Sequence, residues 1–172
     1  MLTLILGGAR SGKSGHAQRL AEASGLPVCY VATAEAGDAE MAARIARHRV
    51  ERPAHWQTHE EPQHPERAFD AAACVVLDCL TLWLSNWLCR DDAAGFAAAR
   101  AALLAAVADN KTRHLILVAN EVGLGVIPMG ELSRRFVDEA GWLNQELAQL
   151  ADTVVFMAAG LPLYMKGRPD ND

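Results

Sequence analysis

LTLILGGARSGKS, residues 2–14, is the stretch of this 172-residue chain that decides its fold. Residues 2–6 form an uninterrupted apolar run, which predicts a buried β-strand. The following residues, Gly7 to Ser14, fit the phosphate-loop pattern G-x-x-x-x-G-K-[ST]. In such a loop, backbone N–H groups surround a phosphate, the lysine reaches the β- and γ-phosphates, and the Ser or Thr hydroxyl ligates Mg²⁺. The chain is therefore predicted to bind a nucleoside triphosphate, with Lys13 on the phosphates and Ser14 on the metal ion.

Further apolar runs, rich in Val, Leu and Ile, alternate with stretches of helical periodicity along the rest of the chain. The predicted strands span 2–6, 28–32, 73–78, 114–119 and 153–158, and the predicted helices span 13–24, 38–50, 80–90, 93–109 and 131–151. Continuous apolar character without alternation is typical of strands that are buried on both faces, as in a parallel sheet covered by helices. We therefore predict a three-layer α/β fold with a mainly parallel central sheet, and we expect ligands at the carboxyl ends of its strands.

The composition is that of an ordinary globular protein, with 51% hydrophobic residues, 22% charged residues and a net charge of −5. We expect a single domain over 1–172, with 167–172 as a flexible polar tail. No apolar run reaches the roughly 20 residues of a membrane span, and the negative net charge argues against a nucleic-acid partner. The cysteines lack the spacing of a zinc site, and we expect reduced thiols in a cytoplasmic protein.

A dense basic cluster surrounds His48 in the second predicted helix, because Arg44, Arg47, Arg49 and Arg52 all lie within four residues of it. One interpretation is a solvated helix end whose positive charges complement the helix dipole. The other is a second anion site that faces the phosphate loop. In that case the positive neighbours lower the pKa of His48, and a neutral imidazole is the form that attacks phosphorus.

Two of the predicted strands end in polar residues. Asp78 ends the run 73–78, and we expect it to hold Mg²⁺ directly or through water; the alternative is that it caps the helix that follows. Asn120 and Glu121 end the run 114–119 and precede a glycine-containing loop that extends to Pro128. This position suits contact with a substrate.

The predicted helix 80–90 has an apolar stripe made of Leu80, Trp83, Leu84, Trp87 and Leu88. These residues follow the spacing of one helix face. We predict that this face packs against the core, and we rank an interface with another chain as the less favoured interpretation.

Five stretches spread over most of the chain carry a resemblance to a known family: GGARSGKS at 7–14, VATAEAGDAEMAARIARHRVERPAHW at 31–56, LDCLTLWLSN at 77–86, NEVGLGVIP at 120–128 and RRFVDEAGWLNQELAQLAD at 134–152. The chain resembles the bifunctional adenosylcobinamide kinase / adenosylcobinamide-phosphate guanylyltransferases of the cobalamin nucleotide-loop pathway. The loop at 7–14 indicates phosphate binding in general. The pattern R-I-x-x-H-R-x-x-R-P-x-x-W and the NEVG sequence make the resemblance specific.

This resemblance implies two reactions on one scaffold. A kinase step phosphorylates the aminopropanol hydroxyl of adenosylcobinamide with ATP or GTP. A transferase step then adds GMP from GTP, which releases pyrophosphate and gives adenosylcobinamide-GDP. In the family, the histidine of the H-R-x-x-R-P motif becomes guanylylated, and it corresponds to His48. The resemblance also implies a RecA-like phosphate-loop NTPase fold and a homotrimer.

The family's nucleotide contacts carry over to the phosphate loop, the end of the second strand, the residues after His48 and two acidic positions. The residues are Gly7, Gly8, Ala9, Arg10, Ser11, Gly12, Lys13, Ser14, Ala32, Thr33, Ala34, Arg49, Val50, Glu51, Arg52, Glu60 and Asp78. Position 47 is Arg where some members of the family have a second histidine. His48 is therefore the one candidate nucleophile in this helix.

Two other functions stay open at this point. The first is a phosphate-loop kinase for a small molecule that lacks the guanylyl step and forms no covalent intermediate. The second is a GTP-binding regulatory module. The chain lacks the N-K-x-D guanine-specificity motif, and the nearest sequence is VANE at 118–121.

Overall fold

The computed structural model describes residues 1–50, 52–90, 92–110 and 114–167, except for the side chains of Arg44 and His48. The α-helices and β-strands of these ranges follow in chain order. They are β1 (Leu2–Gly7), α1 (Lys13–Ala23), β2 (Val28–Ala32), α2 (Ala39–Val50), β3 (Gln57–Glu60), β4 (Cys74–Asp78), α3 (Leu80–Leu88), α4 (Ala93–Asp109), β5 (His114–Asn120), α5 (Glu131–Leu150), β6 (Thr153–Ala158) and β7 (Leu161–Lys166). A 3₁₀ turn, Pro65–Ala68, lies between β3 and β4.

One sheet contains these strands in the order β3-β2-β4-β5-β1-β6-β7. Neighbouring strands run parallel up to β6, and β7 pairs with β6 in the antiparallel direction. The predicted α/β fold with a mainly parallel sheet is therefore confirmed. Because the carboxyl ends of parallel strands lie at one edge of a sheet, the residues that follow β1, β2, β4 and β5 lie along that edge.

Helices cover both faces of the sheet. All six residues of β1 are buried, and its side chains alternate between the two faces. Leu4 packs with residues of α3, α4 and α5 on one face, whereas Ile5 packs with Ala17 and Ala21 of α1 on the other. This arrangement confirms the three predicted layers.

The apolar stripe of α3 faces the core, as its spacing predicts: Leu80, Trp83, Leu84, Trp87 and Leu88 are all buried. Both indole N–H groups have a hydrogen-bond acceptor. They donate to the carbonyl oxygen of Gln63, at 2.8 Å from Trp83 and 3.1 Å from Trp87. This shared carbonyl fixes the segment after β3 against α3.

Two strands at the edges of the sheet were not predicted from the sequence. None of the predicted strands includes Gln57–Glu60, but β3 occupies these residues and pairs with β2. β7 also lies outside the predicted strands. Of the predicted polar tail, residues 168–172 lie outside the described residues. None of the helices within the described ranges is long and apolar enough to cross a membrane.

Candidate active site

Two glycines of the loop between β1 and α1 have backbone conformations that L side chains rarely adopt. Gly7 has φ +151°, and a Cβ atom there would overlap with the carbonyl oxygen of Met157. Gly12 has φ +95°, and a Cβ atom there would lie 3.2 Å from the Cα atom of Gly160. The glycines of the motif therefore allow the loop to pass close to the end of β6 and to turn into α1 at Lys13.

The ammonium group of Lys13 lies within the loop. The residue is buried, and its Nζ donates to the carbonyl oxygen of Gly8 at 2.7 Å and to Ser11 Oγ at 3.4 Å. The backbone N–H of Gly160 donates to the carbonyl oxygen of Ser11 at 3.0 Å, so the turn between β6 and β7 supports the loop from behind. A cation at the amino end of a helix is a suitable environment for a phosphate group.

A cavity of about 470 Å³ opens beside this loop, at the carboxyl edge of the sheet. Its size lies in the range of small-ligand sites. The phosphate loop, α2 and the ends of β2 and β4 contribute to its wall. The polar and charged residues that line it are Arg10, Ser11, Lys13, Ser14, Gln18, Tyr30, Arg47, Arg52, Glu60, Asp78, Cys79 and Asn120, and the larger apolar residues are Met41, Ile45, Trp56 and Leu82.

Three side chains in this wall are in direct contact. The phenol Oη of Tyr30 donates to Asp78 Oδ2 at 2.7 Å. The guanidinium carbon of Arg52 lies 3.7 Å from the centroid of the Tyr30 ring, which is a cation–π distance. Burial raises the pKa of Tyr30 well above 10, and the neighbouring negative charge of Asp78 raises it further. Tyr30 therefore remains a protonated donor at neutral pH.

The sequence of residues 3–165 matches the family described as cobinamide kinase / cobinamide phosphate guanyltransferase. The chain belongs to this family. It is 55% identical to the bifunctional adenosylcobalamin biosynthesis protein CobP of Pseudomonas aeruginosa, over 98% of this chain and 99% of that protein. It is 38% identical to the bifunctional adenosylcobalamin biosynthesis protein CobU of Escherichia coli, over 96% of this chain and 100% of that protein.

Among solved structures, the RadB recombinase is similar with a TM-score of 0.56 and 16% sequence identity, over 99% of this chain and 83% of that chain. At this identity the likeness supports the fold of the cobinamide kinase / guanyltransferase chain and nothing about its substrates. It agrees with the phosphate-loop NTPase architecture that the sequence predicts.

The structure brings together many of the residues predicted to contact the nucleotide in this family. Those that line the cavity are Arg10, Ser11, Gly12, Lys13, Ser14, Ala32, Ala34, Arg52, Glu60 and Asp78. Gly7, Gly8 and Ala9 belong to the same loop but lie outside the cavity wall as the described residues define it. Their backbone nonetheless shapes the loop, and Gly8 accepts the hydrogen bond from Lys13.

Other predicted contact residues lie elsewhere. Thr33 is fully buried, and its hydroxyl donates to the carbonyl oxygen of Cys79 at 2.7 Å and accepts from the N–H of Cys79 at 3.0 Å. It therefore joins the end of β2 to the residue after β4. Arg49 is exposed and pairs with Glu60, and Val50 is 86% exposed. Glu51 and the His48 side chain, the predicted nucleophile, lie outside what the structure describes.

The oxygen donors present at the cavity fit a magnesium ion that arrives with a nucleotide. Ser14 contributes a hydroxyl and Asp78 a carboxylate, and both line the cavity. In the described residues, no three or more His, Cys, Asp or Glu side chains are grouped to hold a metal ion. Mg²⁺ usually takes one or two protein oxygens and completes its shell with substrate phosphates and water. The helix-cap alternative for Asp78 is not observed, because Cys79 occupies the N-cap position of α3 and makes no side-chain cap.

Several cavity residues were missed from the sequence. Tyr30 was hidden in an apolar run, although its position two residues before the strand end places it near the ligand edge. Met41 and Ile45 have the i, i+4 spacing of one helix face, which was a usable signal. Trp56 is buried despite its polar neighbours. Asn120, the last residue of β5, lines the cavity, as its position at the strand end suggested.

Proposed function

We propose that this chain performs both reactions of its family at the cavity beside the phosphate loop. As a family member it is a kinase and guanylyltransferase of cobalamin biosynthesis. In the first reaction, the hydroxyl oxygen of the aminopropanol arm of adenosylcobinamide takes the γ-phosphoryl group of ATP or GTP, and a nucleoside diphosphate leaves. In the second, GMP passes from GTP to the phosphate just formed, and pyrophosphate leaves. The observation that supports a shared site is that one cavity is lined by both the phosphate loop and α2.

The phosphate loop would serve both reactions in the same way. The Lys13 ammonium and the backbone N–H groups of the loop would bind the β- and γ-phosphates. In the kinase step they stabilise charge on the transferred group and on the departing diphosphate. In the guanylyl step the same groups hold the pyrophosphate that leaves, so one loop suits both leaving groups.

His48 is our proposed nucleophile for the guanylyl step. Position 48 follows Met41 by seven residues and Ile45 by three, and both of these residues line the cavity. On an α-helix these spacings share one face. A neutral imidazole nitrogen would attack the α-phosphorus of GTP, and the bond to the bridging oxygen of pyrophosphate would break. An oxygen of adenosylcobinamide phosphate would then displace the histidine, which leaves with its electron pair and completes adenosylcobinamide-GDP.

Charge on the triphosphate needs compensation in a protein with net negative charge. Arg47 and Arg52 both line the cavity on the α2 side and can supply it. Mg²⁺ bound by Ser14, Asp78 and the nucleotide phosphates would neutralise further charge on these phosphates. Replacement of Asp78 by Asn should raise the Mg²⁺ concentration that both reactions require.

The deciding experiment is mass spectrometry of the intact protein after incubation with GTP and Mg²⁺ without corrinoid. Solutions must not be acidic, because a phosphoramidate hydrolyses in acid. We expect the wild-type protein and the control His55→Ala to gain the mass of one GMP unit. His48→Ala should show no gain and should keep much of its kinase activity.

Two results would contradict this mechanism. If His48→Ala formed the adduct or made the GDP product at a rate close to wild type, His48 would not be the nucleophile. If wild-type protein bound GTP but formed no adduct, direct transfer or a kinase without the guanylyl step would replace our proposal.

We further infer a homotrimer from the family resemblance, and sedimentation equilibrium of the purified chain tests it. A mass of one or two chains at micromolar concentration would refute it.

The cytoplasmic location expected from the cysteine spacing stays a prediction.

A further inference from the structure

Tyr30 is placed by the sheet so that its hydroxyl reaches the end of the neighbouring strand. In the parallel pairing of β2 with β4, Ala32 lies opposite Asp78 and Tyr30 lies opposite Val76. The side chains of Tyr30 and Asp78 therefore leave the sheet on the same face, two positions apart. A phenol is long enough to cover that separation, and its Oη makes the 2.7 Å hydrogen bond to Asp78 Oδ2.

The ring of Tyr30 is held firmly in this position. All five residues of β2 are buried, and Tyr30 itself is 8% exposed. Arg52, from the segment after α2, stacks on the ring. A phenylalanine would fill the same space among these apolar neighbours. What the tyrosine adds is one hydroxyl, and that hydroxyl is directed at the carboxylate beside the phosphate loop.

We propose that Tyr30 is a positioning residue for Asp78. Its hydroxyl occupies Oδ2 and fixes the rotation of the carboxylate, which presents Oδ1 to the Mg²⁺ ion of the bound nucleotide or to a water of that ion. In this proposal Tyr30 acts on the metal ion through Asp78 and does not ligate the ion itself. This inference rests on the proposed function, in which Asp78 serves the metal ion. Groups that orient a metal-binding side chain commonly affect metal affinity on the order of tenfold when they are removed.

The alternative is that the hydrogen bond satisfies two buried polar groups and does nothing else. Under that alternative, Tyr30→Phe would lower the stability of the protein and leave its metal affinity unchanged. The proposal and the alternative therefore predict different effects of Tyr30→Phe on metal affinity, and a loss of stability does not distinguish them.

The chain offers a matched control, because Tyr164 is its one other tyrosine. We would measure the dissociation constant of Mn²⁺ from the complex with α,β-methylene-GTP, which cannot transfer GMP to His48, by electron paramagnetic resonance, together with the Mg²⁺ dependence of the kinase reaction. Tyr30→Phe should weaken Mn²⁺ binding by about tenfold and raise the half-saturating Mg²⁺ concentration by a similar factor. At saturating Mg²⁺ its rate should recover, and Tyr164→Phe should change neither quantity. Equal Mn²⁺ affinity in wild type and Tyr30→Phe would overturn the proposal.

A second measurement needs no change at position 30, in case Tyr30→Phe fails to fold. Protein labelled with ¹³C at the ζ carbon of tyrosine gives two resonances, and Tyr164→Phe assigns them. Addition of Mg²⁺ to the protein bound to α,β-methylene-GTP should shift the resonance of Tyr30 and leave that of Tyr164 in place. No shift of the Tyr30 resonance would also overturn the proposal. Absence of both transfer activities in wild-type protein would instead refute the proposed function, because neither binding measurement depends on turnover.

Discussion

The phosphate loop and helix α2 line the same cavity, but they are held in place differently. The loop follows β1, all of whose residues are buried. It leads into α1, in which Lys13, His16, Ala17 and Ala21 are buried. In α2, by contrast, none of the residues whose side chains the structure describes is buried. The region that would bind the triphosphate is therefore anchored to the core on both sides, whereas the described side chains of α2 lie at the surface.

This difference matches the two reactions. Both need the triphosphate in a fixed place, but the kinase step acts at the γ-phosphorus and the guanylyl step at the α-phosphorus. Local opening of a segment costs less free energy when the segment has few buried contacts. A change in the position of α2 would leave the core and the phosphate loop intact.

The largest expected effect comes from the phosphate loop, which we propose serves both reactions. Lys13→Ala should lower the rates of both transfers, on the order of 10²–10³-fold, because the same phosphate contacts are lost in each. Lys166→Ala is the control, since that side chain donates to carbonyls at the end of α5. Rates of both reactions with each nucleotide provide the check. If the kinase step survived Lys13→Ala, the phosphate loop would not be common to the two reactions.

A second test asks whether the phosphate loop requires a glycine at position 12. Gly12→Ala forces a side chain onto a left-handed backbone beside Gly160 and should destabilise the protein by about 2 kcal/mol. Gly15→Ala is the matched control, because its Cβ would meet nothing closer than Arg19 Nη1 at 3.7 Å. It lies in α1 and should stabilise the nucleotide-free protein by up to about 1 kcal/mol. Urea unfolding measures both, and equal effects would mean that the loop is less constrained than the structure indicates.

A third test compares the two helices directly. Ala17→Gly in α1 loses helix propensity and a buried methyl group, which together amount to about 2 kcal/mol of unfolding free energy. Ala43→Gly in α2 loses propensity at an exposed site, about 1 kcal/mol. Chemical denaturation of the two variants gives the difference. If Ala43→Gly cost as much as Ala17→Gly, α2 would be packed more tightly than we infer.

The smallest effect is a dependence of stability on pH. Burial, followed by the charge of Arg19, lowers the pKa of His16 below its usual 6.5 in the folded protein. The unfolded chain binds a proton at this residue more readily than the folded chain does, so its contribution to stability is present above pH 6.5 and lost as the pH falls below that value. Thermal unfolding between pH 7 and 5 should show this loss in wild type and less of it in His16→Gln. His55→Gln, at an exposed position, should retain the wild-type slope.

The parts of the fold that could be predicted are those whose residues are buried on both sides. The apolar runs at 2–6 and 114–119 correspond to β1 and β5, which lie inside the sheet and show no polar alternation. Edge strands give a weaker signal. All four residues of β3 are exposed, and β7 contains Pro162 and is mostly exposed. β3 is a strand because it pairs with β2, and β7 because it pairs with β6. These hydrogen bonds cannot be predicted from the local sequence of β3 or β7.

The candidate site divides in the same way. The phosphate loop and Asp78 were predictable, since glycine spacing and a carboxylate at a strand end are local features. The contact of Tyr30 with Asp78 was not predictable. The two residues are 48 positions apart in the sequence, and their contact depends on the register of β2 against β4. Arg52 was predicted as a nucleotide contact, but its stacking on Tyr30 requires the path of the chain between α2 and β3. Such contacts arise from tertiary packing alone.

The hydrogen bond from Gly160 to Ser11 also restricts how this protein can be re-engineered. The turn between β6 and β7 lies at the outer edge of the sheet and looks, from its place in the chain, like a convenient point for an inserted tag or fluorophore. Because the N–H of Gly160 donates to the carbonyl oxygen of Ser11, we expect a longer turn to disturb the phosphate loop. The loop after β5 is joined to Gly7 by the N–H of Glu121, which donates to the Gly7 carbonyl oxygen at 2.9 Å. Its exposed part, which contains Leu124, Val126 and Ile127, makes no hydrogen bond to the phosphate loop among the described ones. An insertion in this exposed part should therefore leave the triphosphate site in place, and it would instead test the substrate contact that the sequence predicts for the same loop.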